Sequence, residues 1–434
     1  VRTPSAREGA VDVTVRFGDT EIRAPDRFIY FNPGTRFGGA WGNEITGAVN
    51  VSVYSTAGAA IENAYVTLSL ESDTGYRGYT NFAGQVTFSG PDLLGRQSVT
   101  AVAAGFSSAT VESFNAENIT VFLSPLDGNG APPGGPPTGT ITGYISGVEK
   151  IGDPGPNEFE LALCETTRRG PFSGNPPTGN GNVVLGNGEY TLISRVGDLA
   201  VVCVAGLFNN LTEEFRPLFM GVRRFLFVSA GQTYEVDIEV DIPLNNPLTF
   251  KVQNAPRGEP GPTGNLVIPL LNFGFEGTFG GLNVAEGDAE FITAEYQPHL
   301  EGPLQDLSFF VYGGAWTNGR SPYSLAILNE VTETENVIEL PPLLGVPTAE
   351  SPANGGRVIN NYVEINPNSN IQPDFYRVRI EMFDRTPVWE VVLPGNQPFF
   401  QLPDFPTFEE LPEDERPAPF VPGPLAMYVT TAKA

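Results

Sequence analysis

The stretch that decides the fold runs from Gly58 to Phe106. It holds three strand-like segments, G-A-A-I-E-N-A-Y-V-T-L-S-L, N-F-A-G-Q-V-T-F and Q-S-V-T-A-V-A-A-G-F. Apolar and polar residues alternate in each segment, and a glycine punctuates each join. Such alternation is typical of strands that bury one face. The stretch predicts a small β-sandwich, and related patterns fill the rest of the chain. The predicted fold class is therefore all-β: tandem immunoglobulin-like antiparallel β-sandwiches.

Composition supports this fold class. The 434 residues include 40 prolines and 50 glycines, scattered among aromatic and β-branched residues. These residues interrupt helices and favour short strands joined by many turns. A hydrophobic fraction of 40%, with 30 phenylalanines, is enough to build packed cores. By length alone we expect about two to four domains.

The formal net charge of −26 limits the partners. Nucleic acids and anionic membrane surfaces would repel this chain, so neither is predicted as a partner. No cofactor is predicted. Calcium stays an open possibility because dense carboxylates suit hard cations, although no EF-hand loop is present. The strand Tyr234 to Ile242 alternates apolar residues with four carboxylates, which either face solvent or bind cations.

Cys164 and Cys203 are the two cysteines, and each lies in an apolar strand-like run. We predict a structural disulfide between them, with a stabilisation of about 3–4 kcal/mol from loop entropy. Two buried free thiols are the alternative. The disulfide interpretation fits an oxidising compartment outside the cell. No apolar run of about 18 residues is present, so no transmembrane segment is predicted, and the chain shows no recognisable signal peptide.

The stretch that opens this section also resembles the carboxypeptidase-regulatory-like β-sandwich of secreted bacterial proteins, over residues 44–125. The matching positions are Gly58, Ile61, Asn63, Ala64, Val66, Leu68, Gly84, Phe88, Gly105 and Phe106. The resemblance implies a fold and a compartment but no activity, because a scaffold does not fix a function.

Residues 139–252 repeat this pattern in diverged form. Gly188-Glu-Tyr-Thr-Leu corresponds to Gly84-Gln-Val-Thr-Phe, and Ala200-Val-Val-Cys-Val-Ala-Gly206 corresponds to Thr100-Ala-Val-Ala-Ala-Gly105. We interpret this segment as a second module of the same kind, which carries the predicted disulfide.

Two weaker resemblances lie at the ends of the chain. Thr3-Pro4, Gly9 to Val15 and Phe28-Ile29-Tyr30 resemble the closing strands of an IPT/TIG domain, over residues 1–31. That half-domain would be marginal alone, so we expect its missing strands upstream or on a neighbouring molecule. Residues 345–434, with the strands that begin near Asp374 and Val388, weakly resemble a fibronectin type III domain.

The predicted organisation follows from these matches. The units are partial IPT/TIG-like strands at 1–33, a carboxypeptidase-regulatory-like sandwich at 40–126, a proline- and glycine-rich linker at 127–138, a second diverged sandwich at 139–252, a sandwich of unnamed type at 253–344 and a fibronectin type III-like sandwich at 345–434.

Catalytic constellations are scarce in this sequence. His299 is the single histidine, which excludes a zinc cluster built from several histidines, and H-E-x-x-H is absent. No G-x-S-x-G motif accompanies His299, and no phosphate-binding glycine loop is present. No catalytic, cofactor-binding or metal residue is predicted. Paired carboxylates could still serve glycoside hydrolysis, because 50 acidic residues offer candidates.

The tryptophans allow a second interpretation. Trp41, Trp316 and Trp389 could stack on sugars, but Trp389 alternates with Val391 and Leu393, which is a core pattern. The sequence favours a non-enzymatic structural or adhesive protein of a bacterial surface, secreted or outer-membrane-associated. Its expected partners are other protein subunits or surface components. A carbohydrate-binding or accessory module is the alternative, ahead of a hydrolase.

Overall fold

In the computed structural model the protein is all-β, as predicted. The structure describes residues 9–11, 14–17, 20–23, 28–30, 39–56, 58–68, 76–126, 138–168, 182–184, 188–254, 264–280, 282, 285–287, 289–317, 320–332, 337–353, 356–382, 387–401 and 425–433. These residues form strands β1 to β35 and three short 3-10 helices, at Val148–Lys150, Gly274–Glu276 and Gly302–Leu304. Within these ranges, no helix is long and apolar enough to cross a membrane.

The first sandwich packs two sheets around one apolar core. One sheet has the order β5-β12-β6-β9, and the other begins β8-β7-β10-β11. Its strands are β5 (Gly39–Trp41), β6 (Thr46–Ser55), β7 (Tyr65–Leu68), β8 (Arg77–Tyr79), β9 (Gln85–Leu94), β10 (Gln97–Val102), β11 (Ser108–Phe114) and β12 (Asn118–Leu123).

The second sandwich has sheets β16-β13-β19 and β15-β14-β17-β18-β21, with β20 beside β13. Its strands are β13 (Thr138–Ser146), β14 (Glu158–Thr166), β15 (Asn182–Val184), β16 (Glu189–Arg195), β17 (Gly197–Asn209), β18 (Glu214–Val228), β19 (Thr233–Glu235), β20 (Ile238–Glu239) and β21 (Ile242–Pro243). The predicted linker at 127–138 lies outside the described residues apart from residue 138, where β13 begins.

The third sandwich has a sheet β26-β22-β29 and a second sheet that begins β24-β23-β27-β28, with β25 beside β23. Its strands are β22 (Asn246–Lys251), β23 (Gly264–Asn272), β24 (Thr278–Phe279), β25 (Ala285–Gly287), β26 (Phe291–Gln297), β27 (Ser308–Thr317), β28 (Arg320–Val331) and β29 (Ile338–Glu339). Strand β22 falls within the segment predicted for the second sandwich, yet it pairs with β26 and β29 of the third.

All three sandwiches share one topology. Here strands are counted from β6, β13 and β22, and β24 and β25 are counted as one strand. In one sheet the first strand lies between the fourth and the last strand of that sheet; in the other, the second strand lies between the third and the fifth, with the sixth outside. The first and last strands are parallel in each case, as in β6 with β12, β13 with β19 and β22 with β29. In the second sandwich β20 also pairs with β13 in parallel, and the other pairs within these sandwiches are antiparallel.

Two glycines occupy equivalent places in the first and second sandwiches. Gly84 and Gly188 have φ values of 72° and 70°. A Cβ atom would lie 2.5 Å from the carbonyl oxygen of Val53 at Gly84, and 2.7 Å from that of Ile145 at Gly188. Each glycine precedes the fourth strand and accepts a backbone hydrogen bond from the first strand. Only glycine fits there, which explains why these two positions aligned in the sequence.

The fourth sandwich packs the sheet β30-β31-β34 against the strands β33, β32 and β35. Its strands are β30 (Thr348–Ser351), β31 (Tyr362–Asn366), β32 (Phe375–Met382), β33 (Pro387–Pro394), β34 (Phe399–Gln401) and β35 (Leu425–Lys433). The buried residues of this core include Val363, Tyr376, Trp389 and Phe400.

The N-terminal strands form two nested antiparallel pairs. β1 (Gly9–Val11) pairs with β4 (Phe28–Tyr30), and β2 (Thr14–Phe17) pairs with β3 (Thr20–Arg23). Among the described residues, these four strands pair only with one another. Val11 therefore belongs to β1 and Val15 to β2.

The acidic strand predicted from Tyr234 to Ile242 has the expected burial pattern: its apolar residues are buried or half-buried, and its four carboxylates are exposed. It is not one continuous strand, however. β19 and β20 pair with β13, whereas β21 pairs with β18 in the opposite sheet. Between β19 and β20, the side chain of Asp237 accepts a 2.9 Å hydrogen bond from the backbone N–H of Tyr144 on β13, and the chain crosses to the opposite sheet only after β20.

Cys164 and Cys203 form a disulfide between the neighbouring strands β14 and β17. Both cysteines are buried in the core of the second sandwich. Replacing both by alanine is expected to lower the free energy of unfolding by about 3–4 kcal/mol, because the unfolded chain regains loop entropy. Urea unfolding followed by circular dichroism measures the change, with dithiothreitol-treated wild type as the matched comparison. An oxidised wild type no more stable than the double variant would contradict this prediction.

Candidate functional site

The sandwiches are joined through their sheets. A 12-stranded sheet runs through three of them in the order β24-β23-β27-β28-β35-β32-β33-β11-β10-β7-β8, with β25 beside β23. The fourth sandwich lies in the middle, flanked by the first on one side and the third on the other. Among the described residues, the boundaries between the sandwiches hold paired strands and buried side-chain contacts. We take these boundaries as the candidate functional site.

The first seam is the parallel pairing of β11 with β33. The indole of Trp389 on β33 is 1% exposed. Its Nε1–H donates a 3.0 Å hydrogen bond to Oγ1 of Thr110, a residue 279 positions earlier. Ser113 donates a second hydrogen bond across this boundary to Oε1 of Gln397 (2.6 Å). The seam therefore combines backbone pairing with buried side-chain hydrogen bonds, which add to stability only because both partners are satisfied.

The second seam is the parallel pairing of β28 with β35. Ala432 on β35 packs with Leu270, Phe310 and Ile327 of the third sandwich in one apolar cluster. The hydroxyl of Ser324 on β28 is buried and accepts a 2.8 Å hydrogen bond from the backbone N–H of Leu344. Each seam places strands in mid-sheet that would otherwise be sheet edges, and so removes two exposed templates for non-specific pairing.

The second and third sandwiches meet face to face. Alternate residues of β17 belong to two cores: Val201, Cys203 and Ala205 pack inside the second sandwich, whereas Ala200 and Val202 pack with the third. The uninterrupted apolar run of this strand follows from burial on both faces.

A buried carboxylate lies at the interface between the second and third sandwiches. Glu276, in the 3-10 helix after β23, has no exposed side-chain surface. Its Oε2 atom accepts a 2.9 Å hydrogen bond from Nε of Arg224 on β18, and Arg224 also pairs with Asp306. The backbone carbonyl of Glu276 accepts from Thr167 and from Nη2 of Arg195, the latter at 2.9 Å. We call these five residues the Glu276 junction.

The junction holds a strained backbone. Phe225 follows Arg224 at a bulge in β18 and has a φ of 61°, in the left-handed region that aromatic residues rarely occupy. Its N–H donates to Oε1 of Glu276, and its ring stacks on Phe275, with centroids 6.0 Å apart. Strain of this kind persists only where surrounding contacts determine it. Glu276 therefore orders β18 as well as neutralising Arg224.

Burial raises the pKa of Glu276 above its ordinary value of 4.5, although the Phe225 N–H and Arg224 act in the opposite direction. Burial alone would lower the pKa of Arg224, but the hydrogen bonds and charges of Asp306 and Glu276 raise it above its ordinary value. The guanidinium thus stays charged, whereas burial raises the pKa of Glu276 and so favours its protonated form.

The raised pKa gives a pH dependence with a definite sign. Between 4.5 and the higher folded-state pKa, the folded protein binds a proton at Glu276 that the unfolded chain does not, so this group stabilises the fold as pH falls. We expect the wild type to gain stability relative to Glu276→Gln as the pH is lowered from 7 towards 5. Urea unfolding of both proteins at several pH values tests this, because the other titrating groups cancel in the comparison. A difference that is constant or of opposite slope would contradict the prediction.

The residues singled out from the sequence either lie away from the Glu276 junction or are part of a hydrophobic core. Trp389 is a core residue, as its alternation predicted, and is therefore closed to sugars. The side chain of Trp316 lies outside the described residues, and His299 is exposed in a turn. Across the described ranges, no group of three or more His, Cys, Asp or Glu side chains is placed to hold a metal ion. Among the four carboxylates of the segment Tyr234 to Ile242, Glu239 forms a salt bridge with Lys150, with 3.0 Å between Oε1 and Nζ.

The Glu276 junction was not predicted. Its five members come from five separate segments of the chain, up to 109 residues apart for the contact between Thr167 and Glu276. One signal was present: the apolar run from Leu199 to Leu207 does not alternate, and such a run indicates a strand buried on both faces.

No protein-family model matches the chain, and no curated protein matches it. Solved structures similar to it include the Bacillus anthracis TIE protein (9% identity, 76% of this chain and 57% of that one, TM-score 0.15). A protein described as an adhesin from Bacteroides ovatus matches at 10% identity, over 48% of this chain and 93% of that one, with a TM-score of 0.16. A streptococcal ancillary pilin matches at 8% identity, over 68% and 98%, with a TM-score of 0.15. Likenesses at this level transfer no function.

Proposed function

We propose that this chain is a structural or adhesive protein of a bacterial surface or the extracellular space, whose sandwiches act as one rigid unit of a larger assembly. The observation that carries the proposal is the 12-stranded sheet shared by three sandwiches. Domains joined by flexible linkers move relative to one another by default. A sheet that continues through the boundaries, with buried side chains on it, removes that freedom and suits a protein that transmits force or holds a spacing.

Charge and covalent structure support the same role. The net charge of −26 limits non-specific association between copies and with anionic polymers. The Cys164–Cys203 disulfide suits an oxidising compartment. The expected partners are other subunits or surface components, which would contact strands at the ends of the sheets formed by the described residues, such as β8 and β9.

Localisation on the source cells tests the proposal. Antibodies raised against the purified chain should label intact cells or their extracellular matrix, and brief protease treatment of intact cells should remove the label. A cytoplasmic enzyme that is protected from the protease in the same cells serves as the control. Labelling that appears only after the cells are permeabilised would overturn the proposal.

A further inference from the structure

An outward sheet face of the fourth sandwich carries a cluster of exposed apolar side chains. Ile359 is 72% exposed, Phe399 is 45% exposed and Tyr362 is 36% exposed. The rings of Tyr362 and Phe399 have centroids 6.2 Å apart and planes inclined by 30°. At this separation the rings are offset rather than fully overlapped, so ring surface stays open to solvent. We call these three side chains the aromatic platform.

A tight turn and the strand register build the platform. Asn360 and Asn361 have φ values of 54° and 56°, and Tyr362 N–H donates a 3.1 Å hydrogen bond to the carbonyl of Ile359. Two left-handed residues in a two-residue loop form a type I′ turn, which sets Ile359 and Tyr362 side by side. Across the sheet, Val363 pairs with Phe400 and both point inward, so their neighbours Tyr362 and Phe399 point outward.

The two segments that carry the platform hold few charges. Segments 356–362 (G-R-V-I-N-N-Y) and 395–401 (G-N-Q-P-F-F-Q) contain one charged residue, Arg357, and Glu364 is the carboxylate that pairs with Phe399 in the strand register. The other polar side chains of these segments are amides, at Asn360, Asn361, Asn396, Gln397 and Gln401, of which Gln397 is already hydrogen-bonded to Ser113 and to the carbonyl of Phe399. Gln401 also fixes the turn, because its Nε2 donates to the carbonyl of Asn360 (3.1 Å).

We propose that the aromatic platform binds a neutral polysaccharide. A sugar ring offers an apolar C–H face that stacks on aromatic rings, with hydroxyl groups around its edge. Side-chain amides both donate and accept hydrogen bonds, which matches those hydroxyl groups. The net charge of −26 repels an anionic polymer. An apolar protein surface would desolvate the amides without pairing them, which costs free energy. This binding activity goes beyond the structural role proposed above.

Affinity electrophoresis and calorimetry on the full chain test the proposal. The probes are β-glucan, mannan, xylan and chitin oligosaccharides, with alginate as the anionic comparison. We expect binding to at least one neutral probe, and Tyr362→Ala and Phe399→Ala should each weaken it about tenfold. Phe399→Trp should retain binding. Phe82→Ala is the matched control, because Phe82 is 82% exposed on the first sandwich, away from the platform.

Asn360→Gly removes an amide while keeping a residue that tolerates the left-handed turn, so it tests the platform even if a ring variant fails to fold. It should also weaken binding. No binding to any neutral probe, preference for alginate, or an equal loss in Phe82→Ala would overturn the proposal. Self-association that Tyr362→Ala abolishes, measured by light scattering, would assign this face to a second copy of the chain instead.

Discussion

Replacing Trp389 by alanine is expected to lower the free energy of unfolding by about 3–5 kcal/mol, which is the range for truncating a buried large aromatic side chain. Trp389 is among the largest fully buried side chains of the described residues. It packs in a core that includes Tyr65 and Val102 of the first sandwich together with residues of the fourth. The alanine variant should therefore weaken the first seam as well as the core of the fourth sandwich.

Trp389→Phe is the matched control for this substitution. It retains an aromatic ring but removes the N–H that donates to Thr110, so it should cost about 0.5–1.5 kcal/mol, because one hydrogen bond is lost while the Thr110 hydroxyl keeps its hydrogen bond with Thr100. Urea unfolding measures all three proteins. If the alanine variant were as stable as the wild type, Trp389 would not be buried at a boundary between sandwiches.

Replacing Glu276 by alanine is the second substitution with a large expected effect, again a loss of about 3–5 kcal/mol. Removing one partner of a buried ion pair leaves the other charge uncompensated. Here it also leaves the N–H of Phe225 without its acceptor. Glu276→Gln leaves Arg224 with Asp306 as its charged partner, as the alanine variant does, but it keeps an acceptor oxygen for the N–H of Phe225 and for Arg224, so its loss should be smaller than that of Glu276→Ala.

Asp306→Asn separates the Glu276 junction from the outer ion pair. Asp306 is 59% exposed at its side chain, and water screens its contact with Arg224. We expect little change in stability from Asp306→Asn in the same unfolding experiment. An Asp306→Asn variant as unstable as Glu276→Ala would show that the outer pair, rather than Glu276, holds the interface.

Local patterns predicted the strands well, because a half-buried strand has apolar residues at alternate positions. Trp389, Val391 and Leu393 alternate in the sequence and are all buried. Gly84 and Gly188 aligned because the turn before the fourth strand needs a residue without a side chain. Features that depend on one strand or one turn are therefore readable from the sequence.

The junctions between sandwiches were not readable in this way. The pairing of β11 with β33 joins residues nearly 300 positions apart, and the sequence of neither strand indicates which strand it pairs with. The burial of Glu276 depends on a neighbouring sandwich that covers it, so no pattern in the sequence around Gly274–Glu276 indicates a buried carboxylate. The aromatic platform likewise depends on register, which brings Tyr362 and Phe399 together from segments 37 positions apart.

The central claim is that the first, third and fourth sandwiches share one continuous sheet, and hydrogen–deuterium exchange of the native protein tests it most directly. Amides at an interior position of a sheet exchange slowly, whereas those at an open edge exchange quickly. The structure predicts strong protection of peptides covering β11, β33, β28 and β35, well above that of β8, which pairs with one strand, β7, among the described residues. If β11 and β33 exchanged as fast as β8, they would be edge strands. The first and fourth sandwiches would then be separate domains connected only by the polypeptide chain, which would contradict the claim.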